Sequence, residues 1–404
     1  MGQSNAAMKT ALDIFFTPYQ KLDLLTKELV KEDYILSELL KPAGSKGIAN
    51  LPTFTGRAVK IPINAEYAVL YDNRRQFDVE MGDVKEGLGT KNYEYAEFTA
   101  VDKAFTLQVT DEDMQLIDYS NGGKFANWVE QYMDGILQGF KVTLLDSVIN
   151  GGGSDSVRAD GLTKPDFDGW TTAVGSGTYG GLTTTDFYEW QSQLWDCNTL
   201  TTIHGHTVAT IFATIAAAIT VTTGQMQTPF YDVLNKSLQQ CKRYAPAGKK
   251  GRYVIIMHPA VYDYAFLPSL ESQLVSTNGL QGTYLKNKEG NVVQNQFSGM
   301  NYMIDGTPVY AESAMLPNAT IGSAPKYIMP ANEIYILNLD LMRLEANAKK
   351  NFVFDDWEYI KNQYGVMQKS MLTTLMYYHG NRYCMGKITL PAAYTTLCTA
   401  AYGI

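Results

Sequence analysis

Residues Phe125 to Ser154, FANWVEQYMDGILQGFKVTLLDSVINGGGS, decide how this chain is read. Phe125, Val129, Tyr132, Met133, Ile136, Leu137, Phe140, Leu144, Leu145 and Val148 recur at intervals of three and four, so they share one face of a helix. Gln131, Asp134, Gln138, Lys141 and Asp146 fall off that stripe. A helix over 124–149 is roughly 40 Å long, at ~1.5 Å per residue. Gly135 and Gly139 lower its propensity and predict the close approach of another backbone. Gly151, Gly152 and Gly153 end it, because glycine adopts the backbone that stops a helix at little cost.

Upstream, YQKLDLLTKELVKEDYILSELL places Leu22, Leu25, Leu29, Ile35, Leu36, Leu39 and Leu40 at helical spacing, until Pro42, Gly44 and Gly47 break the pattern. From Gly56 to Glu97 the texture turns to alternation. RAVKIPINAEYAV and NYEYAEFTAVDKAFTLQV bracket a polar, charged stretch, which predicts a long hairpin. A two-stranded ribbon is marginal alone in water, so this one should lie on something. In VTDEDMQLIDYSNGG, Thr110 and Asp113 have capping-box spacing at a helix start. A calcium loop counted from Asp111 needs Gly at its sixth position and Glu at its twelfth; Leu116 and Gly122 stand there, and the idea fails.

Downstream, 161–181 is loop-like. Cys197 to Tyr231 contains no Asp, Glu, Lys or Arg, and its centre is TVATIFATIAAAITVTTGQ. The apolar part falls short of the ~20 residues that a spanning helix needs, and the segment reads as a buried or interface-facing strand pair. A helix is expected from about Pro229 through PFYDVLNKSLQQCKRYA. Tyr253 to Met257 reads as a buried strand that turns through His258-Pro259 into a short helix. Strand and turn material follows through MNYMIDGTPVYAESAML and KYIMPANEIYILNLDLMRLEA. QKSMLTTLMYYHGNRYCMGKITL reads as two long strands, or one hairpin around His379 to Arg382. No internal repeat is visible.

The 404 residues are enough for a large core and for two or three domains, and 45% apolar content is that of a globular chain. Tyrosine is abundant, at 27; a Tyr-rich core and partly wet interfaces both account for it. A net charge of −8 opposes a sequence-independent grip on nucleic acid and suits a wall that repels packed DNA, or an ordinary enzyme. Cys197, Cys241, Cys384 and Cys398 are scattered, as reduced thiols would be. The first residues lack the pattern of a secretory signal, and Ala6 stands where a myristoylation site needs Ser or Thr.

No Walker A, GxSxG or dinucleotide fingerprint is present, and AGKKGR lacks the Ser or Thr of a phosphate cradle. His204, His206, His258 and His379 have no HExxH or Cys pair beside them, so capping and loop roles are expected and no metal or cofactor. Asp355, Asp356 and Glu358 read as a solvated turn. On residues alone, a structural protein is favoured over an enzyme.

Several stretches follow one another in a telling order: Arg57 to Glu97; FTAVDKAFTLQVTDEDMQLI, Phe98 to Ile117; Lys124 to Gly153, then ADGL, Ala159 to Leu162. YVIIMHPAVYDYA (Tyr253 to Ala265), IDGTPVYAESAML (Ile304 to Leu316) and EIYILNLDLMRLEA complete it. That order resembles the major capsid protein of tailed double-stranded DNA bacteriophages, with the Hong Kong 97-type α+β fold. The resemblance implies an N-terminal arm over 1–49 and an E-loop over 50–98. It implies a P domain beginning over 99–165 with the spine helix 124–149, and an A domain over 166–335 in which the Thr-rich 183–227 reads as an insertion. The chain then returns to the P domain over 336–404.

The resemblance also implies a homo-oligomer of hexamers and pentamers, made in the host cytoplasm and located in the virion capsid. Its partners would be a portal protein, a separate scaffolding protein (the N-terminus being too short for a fused one), decoration or head-closure proteins, and packaged DNA bound without sequence specificity; no membrane is involved. Inter-subunit contacts are expected at Arg57, Arg74, Arg75, Asp78, Glu80, Asp83, Lys85 and Glu86. Packing of the spine is expected from Phe125, Val129, Met133, Ile136, Leu137, Phe140 and Leu144. Some family members crosslink through a Lys–Asn isopeptide bond; Lys60, Lys85 and Lys91 lie in the E-loop region, and the crosslink is assigned to none of them. The alternatives are an encapsulin-like compartment of the same fold, a hydrolase with a dispersed site, and a secreted β-rich adhesin.

Overall fold

The computed structural model describes residues 12–13, 35, 53–64, 93–113, 123–153, 166–184, 190–209, 228–245, 252–267, 303–316, 326–351, 353–360 and 365–391. Helix and strand are mixed, and two six-stranded sheets organise them.

The first is built on one long strand, Val366–His379. Along one side it pairs antiparallel with Val101–Thr110, from Val366 opposite Thr110 to Leu375 opposite Val101. Its other side is shared end to end by Met342–Asn347, Val353–Phe354 and Glu358–Tyr359. Thr53–Phe54 joins parallel to Met342–Asn347. In Val101–Thr110, Val101, Leu107 and Val109 are buried while Asp102, Ala104, Thr106, Gln108 and Thr110 are exposed. That alternation is the pattern of a sheet covered on one face.

The cover is the helix Gly123–Asn150, 28 residues and about 42 Å at ~1.5 Å per residue. Val129 and Met133 pack in one cluster with Leu12, Leu107, Val109, Trp357 and Met367. Leu137, Phe140, Leu144, Leu145 and Val148 enter the main core, where the Phe140 ring lies 5.7 Å from Phe105. The helix and its apolar stripe are therefore as expected. Two details differ. Among the described residues, nothing beyond the helix's own backbone comes within 4 Å of a Cβ built at Gly135 or Gly139, and both positions are exposed, so the expected close backbone approach is not seen there. Lys141 is off the stripe and yet buried.

The glycine exit works through contact as well as backbone freedom. A Cβ at Gly151 would sit 2.3 Å from the carbonyl oxygens of Ser147 and Phe167, and Gly153 has φ +73°. The chain over 166–169 folds back here, with the Gly153 amide donating to the Phe167 carbonyl and the Gly169 amide to Gly151.

The second sheet runs in the order Gln193–Asp196, Gly386–Thr389, Glu333–Asn338, Tyr253–Met257, Thr307–Ala311, Met303–Ile304. All of Tyr253–Met257 is buried, as its unbroken apolar run requires. Helix Thr228–Arg243, expected from about Pro229, buries Phe230, Val233, Leu234, Leu238 and Cys241 in the same core. Pro259 opens the short helix after Met257, and His258 Nδ1 accepts the Ala260 amide at 3.1 Å, the capping role expected of it. Asp305 and Gly306, with φ +47° and +70°, make the two-residue turn between Met303–Ile304 and Thr307–Ala311.

Of the two readings of the last stretch, the structure has the two strands and not the hairpin. Val366–His379 and Gly386–Thr389 do not form a hairpin with each other: the first is the axis of the long-strand sheet and the second an inner strand of the other. Strands of segment 336–404 therefore lie in both sheets. Within the Thr-rich segment, Gln193–Asp196 is an edge strand of the second sheet, and Thr202–Ile203 with His206–Thr207 forms a minimal hairpin. The centre of that segment, residues 210–227, and the predicted N-terminal helix, apart from Ile35, lie outside the described residues. Among the described residues, no helix is long and apolar enough to cross a membrane.

Candidate functional site

The surface that the sequence marks for contact is the hairpin, and its base is well defined. Ala58–Asn64 pairs antiparallel with Tyr93–Thr99, Lys60 opposite Glu97. Lys60 Nζ lies 3.2 Å from Glu97 Oε2, with both side chains half exposed or more. Ala96 and Phe98 are buried, whereas Tyr95 (56% exposed), Glu97 and Thr99 face out. Arg57 is exposed just before the first strand, and its carbonyl accepts the Ala100 amide at 2.8 Å. Arg74, Arg75, Asp78, Glu80, Asp83, Lys85 and Glu86 lie outside the described residues.

The ribbon does lie on something, at its root. Tyr179 and Leu182 close a tight turn on Gly180 and Gly181, with φ +58° and +79°. The Glu97 amide donates to the Gly180 carbonyl at 2.9 Å. A Cβ at Gly180 would stand 2.8 Å from the Phe98 ring and 2.9 Å from Ala96 Cβ, so only glycine lets the strand seat there. The Phe98 ring sits 4.9 Å from Tyr179 and 5.5 Å from Tyr378, the latter stacked. These residues form their own buried cluster with Phe54, Ala173, Leu182, Trp190 and Met376.

Behind that cluster stands Arg382, fully buried. Its guanidinium donates to four main-chain carbonyls, two at the end of the short helix Trp170–Ala173 and two in the turn after it: Ala173 from Nε, Thr172 at 3.4 Å, Gly175 at 2.8 Å and Gly177 at 3.1 Å. The Tyr179 and Trp190 rings lie 4.9 and 5.9 Å from its Cζ. Burial lowers its pKa to about 10, with Tyr179 and Asp168 opposing the shift, so it stays charged at neutral pH. Asp168 moves the other way, its carboxyl raised by burial against the pull of Arg382. His379 is buried beside it, between the Tyr377 hydroxyl (2.8 Å) and Met385 Sδ (3.0 Å); burial first, then the Arg382 charge, lowers its pKa to about 3.

Several other ionisable groups among the described residues have structural partners. Lys103 Nζ reaches Asp166 Oδ1 at 2.6 Å and Ser147 Oγ at 2.8 Å, tying the edge strand to the exit of the long helix. Lys369 Nζ meets Asp13 Oδ1 at 2.9 Å. His206 Nε2 pairs with Asp232 Oδ2 at 2.6 Å and His204 Nε2 with Ser237 Oγ at 3.0 Å, joining the small hairpin to helix Thr228–Arg243. Cys197, Cys241 and Cys384 are free and buried; burial pushes the thiols up, to about 12 for Cys197 and about 11 for Cys384. Thr110 and Asp113 exchange the expected capping bonds, at 3.0 and 3.3 Å. Among the described residues, no three His, Cys, Asp or Glu side chains converge as metal ligands would.

Of the helix residues singled out, Val129, Met133, Leu137, Phe140 and Leu144 are buried and Ile136 is half-buried; the side chain of Phe125 lies outside the described residues. Arg382 and its aromatic shell escaped the sequence reading. An arginine between Gly380 and Gly386 looks like turn chemistry, and nothing local signals that it is enclosed.

No protein-family model matches the chain, and no curated protein matches it. Among solved structures it is similar to the cyanophage A-1(L) capsid asymmetric unit, at 14% identity and TM-score 0.48, over 88% of this chain and 92% of that one. It is similar to the satellite phage P4 procapsid including size determination (Sid) protein, at 9% identity and TM-score 0.44, over 91% and 89%. A third is the capsid of an empty GTA particle, at 10% identity and TM-score 0.39, over 88% and 97%. All three are structures of capsids or procapsids.

Proposed function

We propose that this chain is a major capsid protein of the tailed-bacteriophage, Hong Kong 97-type class. It assembles with copies of itself into hexamers and pentamers of a shell that encloses double-stranded DNA. The observation that carries this reading is the order of elements along the chain. A charged hairpin, a strand with an acidic-capped turn, one long helix with a glycine exit, a second sheet, and a return to the first occur at the stretches that carry the resemblance.

The physical logic is that of a tile. The long helix stiffens one sheet from a single side, and the hairpin projects from that sheet's margin with Tyr95, Lys60 and Glu97 outward. Contacts that repeat around a closed shell need such reach beyond the subunit's own core. On this reading the function lies in interfaces, with Arg57 and the hairpin charges at Arg74, Arg75, Asp78, Glu80, Asp83, Lys85 and Glu86 as contacts. Scaffolding, portal and decoration proteins are its partners, and the virion is its place after assembly in the host cytoplasm.

Negative-stain electron microscopy of the purified chain, produced with its scaffolding protein, tests the proposal. Closed shells, or rings of five and six copies, are expected. A discrete monomer under those conditions would contradict it.

A further inference from the structure

We infer that Arg382 is a positioning residue for the hairpin: through the loop 172–182 it fixes the angle at which Ala58–Asn64 and Tyr93–Thr99 leave the body of the subunit. The proposal rests on the reading above only for what that angle is used for; the mechanical link stands on the geometry alone.

The link has three steps. Arg382 gathers the carbonyls of Thr172, Ala173, Gly175 and Gly177, and no carboxylate lies within salt-bridge distance of it among the described residues. A buried guanidinium satisfied by the carbonyls that end a short helix and begin the loop after it fixes how that loop leaves the helix, because its planar fork gives each donor a fixed direction. The same loop runs into Tyr179, whose face the guanidinium covers, whose hydroxyl accepts the His379 amide at 2.8 Å and whose carbonyl accepts Trp190 Nε1 at 2.9 Å. Tyr179 then starts the Gly180–Gly181 turn, and Gly180 receives the hairpin through the Glu97 amide and the Phe98 ring. Each step is a directional contact, so a change at Arg382 is expected to travel to Glu97.

Lysine carries the charge but offers one ammonium in place of the fork, so it cannot hold four carbonyls spread along the loop. The test is hydrogen–deuterium exchange on the full chain and on Arg382→Lys, Arg382→Met and Gly180→Ala, with electron microscopy of the same preparations. In Arg382→Lys the amides of 172–177 and that of Glu97 should exchange about tenfold faster, the loss of roughly one hydrogen bond's protection, while 253–257 and 366–375 keep theirs. Gly180→Ala should release 93–99 and leave 172–177 protected, which fixes the direction of the link. Shells should be absent or malformed in both variants.

An unchanged Glu97 amide in Arg382→Lys overturns the inference. So does loss of protection in 253–257 and 366–375 as well, which would make Arg382 a general core staple. Normal shells from a variant with a released hairpin would show that the angle has no use in assembly, and would also overturn it. Should the unaltered chain form no shells, the capsid reading fails, and the exchange pattern still decides the link.

Discussion

The two sheets of this subunit solve the same packing problem in opposite ways. In the second sheet Tyr253–Met257 is enclosed on both faces, and Glu333–Asn338 is buried at every position after Glu333. In the long-strand sheet one face carries the helix. The other presents Ala104, Thr106 and Gln108, opposite Leu372, Ser370 and Gln368. The first arrangement is a core complete in itself. The second leaves part of its outer face exposed, with a hairpin at its margin, and on the proposed function folding and contact are divided between the two sheets. Substitutions in the buried sheet should act on stability, and those at the hairpin on association.

The most severe test of that division is Phe140→Asp, on the face of the helix that joins both clusters. Burying an unpaired carboxylate there should cost more than about 5 kcal/mol and leave no soluble folded chain, as judged by circular dichroism and solubility. Near-normal folding would mean that the wrong face of the helix has been assigned to the core. Next in size, Ile255→Ala in the enclosed strand should cost about 3 kcal/mol in urea unfolding, whereas Leu372→Ala should cost less than about 1 kcal/mol. Equal costs would erase the contrast between the sheets.

Acid should weaken the fold through its enclosed histidines. Burial lowers the pKa of His258 to about 4 and that of His379 to about 3, against 6.5 for the free side chain. The unfolded chain therefore takes up protons that the folded chain refuses. Stability from this source is complete above about pH 6.5 and is lost progressively as pH falls toward 4. The urea midpoint should drop between pH 7 and pH 5, and His258→Asn, which keeps a capping oxygen for Ala260, should flatten the drop. A midpoint that rises on acidification would contradict the assignment. The smallest effect on folding should come from Lys60→Glu, which faces Glu97 on the exposed ribbon: within about 0.5 kcal/mol in stability, with reduced shell yield by sedimentation.

How legible each region was in the sequence follows from the same contrast. The long helix was readable because its stripe repeats through Val129, Met133, Leu137, Phe140 and Leu144, and the buried strand because Tyr253–Met257 is an unbroken apolar run. The pairing of distant strands was not: Val366–His379 and Gly386–Thr389 lie next to each other in sequence, and the tight turn between them hides the fact that they enter different sheets. Arg382 was invisible for a physical reason. Its burial is offset by carbonyls and rings contributed from about two hundred residues away, and local composition carries no trace of them. Lys141 misled in the same way, being charged and off the stripe in sequence and enclosed in the fold.

The central claim, that one sheet completes the fold and the margin of the other completes an assembly, is tested most directly by comparing amide exchange before and after shell formation. Slower exchange is predicted in 58–64, 93–99 and the edge strand 101–110 on assembly, with 253–257 and 333–338 already fully protected in the free chain. Protection that appears first in 253–257 and 333–338, or a hairpin that gains none, would contradict it.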